Sequence, residues 1–260
     1  MNVSAIKDVD ICPDAAWERL SLNRRQWVSG AGALVGGPLF ATADTAVAQP
    51  TTGTARYDYL FFDFAAGPRP YARPATVLGP MLAVALANTQ GRRLGLFTPQ
   101  IGWTSTQAAV LLAWPDGDTG RAAALQKLSA APGLKSVQKH TLTSTVRPAG
   151  EALPRAGGIY VHRWFVIDSG GIDEFVALSV QGWADFETRF DASIFGLWTA
   201  APTPDDRRDG STRVFLLTRY KDHGVWEASR DPTTAAMQAF ARRQALTRVT
   251  WNASTLLARE

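Results

Sequence analysis

The pentapeptide LGLFT at residues 94–98 decides the fold, because a close copy of it, FGLWT, stands at residues 195–199. A second pair follows, in which VLLAW at 110–114 matches FLLTR at 215–219. The offset is 101 residues for the first pair (195 − 94) and 105 for the second (215 − 110). The four extra residues fall in APTPDDRRDGS at 201–211, whose Pro, Asp and Gly residues are typical of a loop. The chain is therefore predicted to be a tandem of two similar halves.

Each half has the pattern strand, helix, strand, strand, helix, strand. The first half is predicted over 56–147, a Pro- and Gly-containing linker over 148–158, and the second half over 159–260. This order is that of a ferredoxin-like fold, whose helices cover one face of a four-stranded sheet. The other face is apolar and must be buried against something. We therefore predict an α+β fold in which two ferredoxin-like β-α-β-β-α-β halves pack sheet to sheet as a pseudo-dimeric α/β barrel, with helices outside.

The N-terminal 48 residues have the pattern of an export signal. Arg24 and Arg25 precede a weakly apolar, Gly- and Ala-rich segment at about 28–43, and Ala46-Val47-Ala48 has the small residues that signal peptidase requires. The paired arginines resemble a twin-arginine signal. We expect the twin-arginine translocase as a partner, cleavage near Ala48 and a periplasmic or secreted mature protein beginning at Gln49. The segment is too short to span a bilayer comfortably, so no membrane span is expected in the mature chain.

The composition excludes several classes of function. Of 260 residues, 46% are hydrophobic, and the formal net charge is +4. The basic residues are scattered with no run of five or more, so we predict no nucleic-acid partner. Signal cleavage removes Cys12, the only cysteine, and the three histidines are isolated in sequence, so no metal site is predicted.

The second half resembles the NIPSNAP family of dimeric α/β-barrel proteins over about residues 159–258. The family pattern combines a Tyr-x-x-Arg strand, a Gly-x-x-Asp-Glu-Phe helix start, a Gly-x-Trp strand and an Arg-Val-x-x-x-x-Arg-Tyr strand. The matching residues are Tyr160, Arg163, Asp173, Glu174, Phe175, Gly196, Trp198, Arg213, Val214, Arg219 and Tyr220. A family histidine is replaced by Leu216, and in the first half Trp114 stands where Arg219 does. The resemblance implies the fold and a protein of poorly defined role, with the polar residues of any site in the second half.

Arg163 and Arg219 are the leading ligand-binding candidates. They lie on strands predicted to be neighbours, and two guanidinium groups sharing one buried region need compensating anions. One interpretation is a modest cavity for a small apolar or carboxylated molecule, with Tyr160, Tyr220 and Trp198 as further candidates from the family pattern. The other is structural pairing with helix carboxylates, namely Asp173, Glu174, Glu187 or Glu227.

His162 carries a second hypothesis. It lies on the strand face opposite to Arg163, among aromatic residues, and the wider α/β-barrel superfamily includes enzymes that bind haem through a histidine. No cofactor is otherwise predicted. The alternatives to ligand binding are thus a haem-binding or cofactor-independent oxygenase-like enzyme acting on an aromatic substrate, and a structural module that assembles into oligomers through its outer helices.

Overall fold

The computed structural model describes residues 56–67, 73–150 and 152–258. The predicted export signal, with Arg24, Arg25, Ala46 and Ala48, lies outside these residues. The eight strands of the described residues are β1 (Arg56–Phe64), β2 (Arg92–Ile101), β3 (Gln107–Trp114), β4 (Leu134–Ser144), β5 (Ile159–Asp168), β6 (Ala192–Ala200), β7 (Ser211–Tyr220) and β8 (Thr247–Leu257). The α-helices are α1 (Pro74–Leu86), α2 (Arg121–Ser129), α3 (Ile172–Arg189), α4 (Pro204–Asp209), α5 (His223–Ala228) and α6 (Ala235–Ala245). None of these helices is both long enough and apolar enough to cross a membrane.

The eight strands form one closed antiparallel barrel in the order β1-β3-β2-β8-β5-β7-β6-β4. Four neighbouring strands come from each half. The halves join at two seams, one between β2 and β8 and the other between β4 and β6. The prediction of two ferredoxin-like halves packed as a pseudo-dimeric α/β barrel is confirmed. Between β4 and β5, the described residues 145–150 and 152–158 contain no helix or strand.

The buried hydrophobic residues fall into three clusters because strands such as β3, β5 and β7 are buried on both faces. The barrel interior takes one set of alternating positions, such as Tyr59, Trp164 and Phe215. The opposite set packs against helices, around Phe62 in the first half and around Phe165 in the second half. A buried hydrophobic side chain on these strands therefore belongs either to the interior or to one of the two helix-facing layers.

The Gly-x-aromatic repeat has a steric basis. A Cβ atom on Gly196 would lie 2.2 Å from the ring of Trp198, and one on Gly95 would lie 2.5 Å from the ring of Phe97. Both glycines also follow an irregularity in the pairing register of their strands. In each half the glycine therefore lets the aromatic side chain two residues later fold over the backbone inside the barrel.

The second-half hairpin loop contains a helix that the sequence interpretation treated as loop. Helix α4 begins after Thr203, whose hydroxyl accepts a hydrogen bond from the Asp206 N–H, while the Asp206 carboxylate accepts one from the Thr203 N–H. This capping box starts the helix, and Gly210 in the left-handed conformation ends it. The extra residues of the second half therefore make one capped helical turn between β6 and β7.

Candidate functional site

Arg163 and Arg219 do not share a buried region, so the prediction that their guanidinium groups approach each other is wrong. In the β5–β7 pairing, Arg219 lies opposite Tyr160 and Arg163 lies opposite Leu216. Tyr160 belongs to the barrel interior, whereas Leu216 belongs to the helix-facing layer of the second half. Because side chains alternate between faces, the two arginines lie on opposite sides of the sheet.

Arg219 has its own neutralising partner. Its Nη1 lies 3.0 Å from a carboxylate oxygen of Asp191, and its Nε donates to the carbonyl of Gly157 at 3.0 Å. Arg219 is thus paired with a carboxylate, but this carboxylate lies outside the helices and is not one of the four that we named. Among those four, Glu187 pairs with Arg147 at 2.7 Å instead. Asp191 follows the last turn of α3, a position that the helix pattern did not single out.

Three arginines on the helix-facing side of the second half are close enough for their charges to affect one another's pKa, and we call them the arginine cluster: Arg163, Arg230 and Arg243. Burial and the nearby charge of Arg230 lower the pKa of Arg163. The charges of Arg163 and Arg230 both lower the pKa of Arg243. Within the described part of the chain, none of the three forms an ion pair with a carboxylate.

Arg243 is the most buried member of the arginine cluster, with 3% of its surface exposed. Its guanidinium carbon lies 4.6 Å from the ring centre of Phe240, 5.1 Å from Phe165 and 5.3 Å from Phe175. Its Nη1 donates to the hydroxyl of Ser179 at 3.3 Å, and its buried Nε has no hydrogen-bond partner among the described residues. Burial, reinforced by the two neighbouring charges, lowers the pKa of Arg243 to about 9.

Arg230 and Tyr220 complete the arginine cluster on its outer side. The Arg230 Nη2 donates to the Tyr220 hydroxyl at 2.9 Å, and its Nε donates to the carbonyl of Trp226 at 3.3 Å. The guanidinium also lies over the Trp226 ring at 5.3 Å. The Tyr220 oxygen accepts from Arg230, and its own O–H, which can donate at the same time, has no acceptor among the described residues. The site thus combines three guanidinium groups with one available hydroxyl donor.

Sequence reasoning found Arg163 and Tyr220 but missed Arg230 and Arg243. The signal for Arg243 is its spacing on α6, because it follows Ala236 and Ala239 on the face that is buried. An arginine that continues the buried face of a helix in this way indicates a positive charge directed at the core. Arg230 lies in the loop between α5 and α6, where no periodic pattern applies.

His162 lies at the centre of a polar chain inside the barrel. The hydroxyl of Thr255 donates to the carbonyl of Tyr160 at 3.1 Å, so it accepts from His162 Nε2 at 3.0 Å. His162 Nδ1 is then unprotonated and accepts from the Tyr59 hydroxyl at 3.0 Å. Burial lowers the pKa of His162 to about 3, which keeps the imidazole neutral.

The surroundings of His162 do not fit a haem ligand. Both ring nitrogens already have hydrogen-bond partners, so neither has a lone pair directed at an iron. Aromatic rings pack around the imidazole, with ring centres of Phe97 and Trp103 at 4.7 and 5.0 Å. Haem ligation by this residue would require the polar chain to break and these rings to move.

Tyr160 and Trp198, the remaining candidates, fill the barrel interior rather than line the arginine cluster. The Tyr160 hydroxyl donates to the carbonyl of Arg155, and burial raises the pKa of Tyr160 to about 12. Trp198 stacks on Phe215 with ring centres 5.4 Å apart. The predicted ligand-binding residues therefore lie on both sides of the sheet. Arg163 and Tyr220 are on the side that faces the helices. Tyr160, Trp198 and Arg219 are on the side that faces the barrel interior.

Comparison with known proteins gives the fold. No family model matches the chain, and no curated protein matches it. A variant of chlorite dismutase from Candidatus Nitrospira defluvii is similar, with a TM-score of 0.55 and 7% identity over 80% of this chain and 93% of that one. An anthrone oxidase-like protein has a TM-score of 0.54 and 14% identity over 79% and 92% of the two chains. For a predicted monooxygenase from Fusobacterium nucleatum the TM-score is 0.53, with 9% identity over 80% and 94%.

These likenesses, at such low identity, show only the class of fold, a barrel built from two ferredoxin-like halves. Within that class, this chain is a tandem in which one polypeptide supplies both halves of the barrel. Its second half carries the arginine cluster between sheet and helices, and its interior is closed by aromatic side chains.

Proposed function

We propose that the protein binds a small anionic molecule, a carboxylate or a phosphate, at the arginine cluster. The observation that carries this proposal is Arg243, a guanidinium that is almost fully buried beside two other cations and has no carboxylate partner in the described chain. An unpaired buried cation destabilises a fold, whereas an anion that enters the site removes that cost. The proposal keeps the carboxylate of the predicted ligand classes, adds phosphate in place of an apolar molecule, and moves the site from Arg219 to Arg230 and Arg243.

The residues of the arginine cluster have distinct roles in this proposal. The three phenylalanine rings around Arg243 hold its guanidinium in one orientation through cation–π contacts. Arg163 and Arg230 are both partly exposed, so a ligand from solvent would meet them before Arg243. Arg230 orients the Tyr220 hydroxyl, whose O–H then donates to the ligand. Guanidinium groups bind carboxylate and phosphate oxygens in pairs, so both chemical classes fit these donors.

The oxygenase-like alternative is compatible with the fold, since a predicted monooxygenase and an anthrone oxidase-like protein share it. That chemistry would need a base inside the barrel. His162 has a pKa of about 3 and both nitrogens in use, so it is a weak base near neutral pH. Anion binding is therefore the function that we propose.

We carry the export prediction into the same proposal, in which a NIPSNAP-like protein binds its ligand outside the cytoplasm. The support is the sequence pattern of Arg24 and Arg25 followed by Ala46-Val47-Ala48. Expression with the intact N-terminus should yield a mature form beginning at Gln49 by mass spectrometry, and replacing both arginines by lysine should leave the precursor uncleaved. Equal processing of both forms would contradict use of the twin-arginine route.

A titration tests the binding proposal. Inorganic phosphate and benzoate are added to the purified protein at low ionic strength, and the unfolding temperature is followed together with calorimetric binding. A ligand at a hundred times its Kd should stabilise the native state by about 2.7 kcal/mol. Arg163→Gln should weaken binding at least tenfold. Arg242→Gln removes the same charge from the exposed face of α6 and should leave binding nearly unchanged.

Two outcomes would overturn the proposal. One is the absence of stabilisation or heat with both phosphate and benzoate. The other is equal weakening by Arg163→Gln and Arg242→Gln, which would mean that the anions respond to net charge rather than to a defined site.

A further inference from the structure

The first half of the chain shows how this fold neutralises a buried arginine with a carboxylate of its own. Asp58 lies opposite Leu112 in the β1–β3 pairing, so it faces the helices of the first half, and it is fully buried. Its two carboxylate oxygens accept from Nε and Nη2 of Arg121, each at 2.7 Å. One of them also accepts from the Thr141 hydroxyl at 3.1 Å. One carboxylate therefore serves one guanidinium group and one hydroxyl in this layer.

The arginine cluster lies in the equivalent layer of the second half and contains two more guanidinium groups. Arg163 lies opposite Leu216, which belongs to the helix-facing layer. Arg243 lies over the ring of Phe165, which follows Arg163 by two residues on the same face of β5. The pKa of Arg243, about 9, leaves all three arginines charged at neutral pH. No described Asp or Glu is among the groups whose charge shifts the pKa of Arg163 or Arg243, so the three charges are not balanced by the described chain.

The donor groups of the arginine cluster exceed what a carboxylate can accept. A carboxylate has two oxygens with roughly four acceptor sites, and two guanidinium groups that each donate a pair of hydrogen bonds fill all of them. A third guanidinium group and the Tyr220 O–H would then have no acceptor. A phosphate monoester has three terminal oxygens and, near neutral pH, close to two negative charges. The number of acceptors and the charge both favour phosphate over carboxylate.

We infer that the ligand of the arginine cluster is the dianionic phosphate group of a phosphate monoester, and that the site discriminates against monoanions of similar size. This inference rests on the proposed anion site and narrows its ligand to one chemical class. A monocarboxylate leaves two of the three arginine charges unbalanced, whereas a dianion leaves one. Because an unbalanced charge is costly in a buried layer, the second negative charge of the ligand contributes directly to affinity.

Three small anions that each carry one methyl group separate the effect of charge from that of shape. At about pH 7.5 methyl phosphate is mainly a dianion, since the second pKa of a phosphate monoester is about 6. Methyl sulfate has the same three terminal oxygens and a single charge, and acetate has a single charge and two oxygens. Each anion is titrated into the full-length protein at one matched low ionic strength, and the Kd is measured by calorimetry. Methyl phosphate should bind at least tenfold more tightly than methyl sulfate, and acetate should bind most weakly.

Charge-removing variants assign this preference to the arginine cluster. Arg163→Gln and Arg230→Gln each remove one positive charge, which a dianion feels twice as strongly as a monoanion does. Each variant should therefore lower the preference for methyl phosphate over methyl sulfate at least threefold, and either one serves if the other does not fold. Arg242→Gln removes the same charge from the exposed face of α6 and should leave the preference unchanged.

The possible failures are distinguishable. Equal Kd values for methyl phosphate and methyl sulfate would overturn the inference and leave anion binding at the arginine cluster intact. A preference that falls equally in Arg163→Gln, Arg230→Gln and Arg242→Gln would also overturn it, because the protein would then respond to net charge. If none of the three anions binds, the proposed function fails together with the inference.

Discussion

Replacing Arg243 by methionine should make the ligand-free protein more stable, not less. Because one pKa unit corresponds to about 1.4 kcal/mol, a pKa of about 9 in place of the ordinary ~12.5 means that holding this charge in the fold costs about 5 kcal/mol. Each of the three cation–π contacts with phenyl rings stabilises the charged guanidinium by roughly 1 kcal/mol. Methionine has similar length, carries no charge and packs well against aromatic rings. The net gain should be about 1–3 kcal/mol.

Arg219→Met is the matched control, because it removes the same group from a position where the charge is paired. Arg219 loses its bonds to Asp191 and Gly157, and Asp191 is left without its cation. The Asp191 side chain is 51% exposed, so solvent limits the loss to about 1–3 kcal/mol of destabilisation. The two arginine-to-methionine changes should therefore move the free energy of unfolding in opposite directions.

Urea unfolding at pH 7 without phosphate measures both effects, and a change of 2 kcal/mol moves the midpoint by about 1 M. Adding phosphate should then stabilise the wild type and leave Arg243→Met unchanged. If Arg243→Met lowers the midpoint as Arg219→Met does, the guanidinium of Arg243 is a structural group satisfied by its rings and Ser179. The reasoning behind the anion site would then be refuted.

Three further predictions concern the fold. Gly196→Ala should destabilise the protein by about 2–3 kcal/mol in urea unfolding, because its methyl group would displace the Trp198 ring; a loss below 0.5 kcal/mol would contradict the steric account. Gly79→Ala should change the free energy of unfolding by less than about 1 kcal/mol, because the gain in helix propensity is offset by the contact of the new methyl group with the ring of Pro80, and a midpoint raised by more than about 0.5 M would contradict this. Burial lowers the pKa of His162 to about 3 and that of His140 to about 4, so below about pH 6.5 the unfolded chain takes up protons that the native state does not. From pH 7 to pH 5 the free energy of unfolding should therefore fall by about 2 kcal/mol for each histidine, and His162→Gln should remove about half of the loss; an equal fall in wild type and variant would show that His162 is not responsible.

The sequence predicts the fold well because the two Gly-x-aromatic segments are fixed by sterics within each strand. Gly196 and Trp198 are two residues apart in one strand, and their contact does not depend on a partner strand. The Gly-x-aromatic pattern can therefore be recognised in the sequence of each half by itself. Strand ends, such as those of β5 at Ile159 and Asp168, likewise follow from local composition.

The site was harder to predict because it depends on register. Strands β5 and β7 are apolar on both faces, so alternation within either strand cannot say which face meets the barrel interior. Only the pairing of Tyr160 with Arg219 shows that Arg219 lies on the face toward the barrel interior and Arg163 on the face toward the helices. The two charges that neighbour Arg163 come from α6 and the loop before it, and such proximity between distant segments leaves no signal in a single strand.

The pairing of β8 has a consequence for how the chain is synthesised. Strand β8 lies between β2 and β5, and Thr98 on β2 bonds to Leu256 across 158 residues of sequence. During translation β2 and β5 are therefore complete long before the strand that covers their free edges leaves the ribosome. A nascent chain that stops before Thr247 holds an open barrel with two unpaired edges, which are templates for aggregation. Completion of the last strand is thus the event that turns a vulnerable nascent chain into a closed protein.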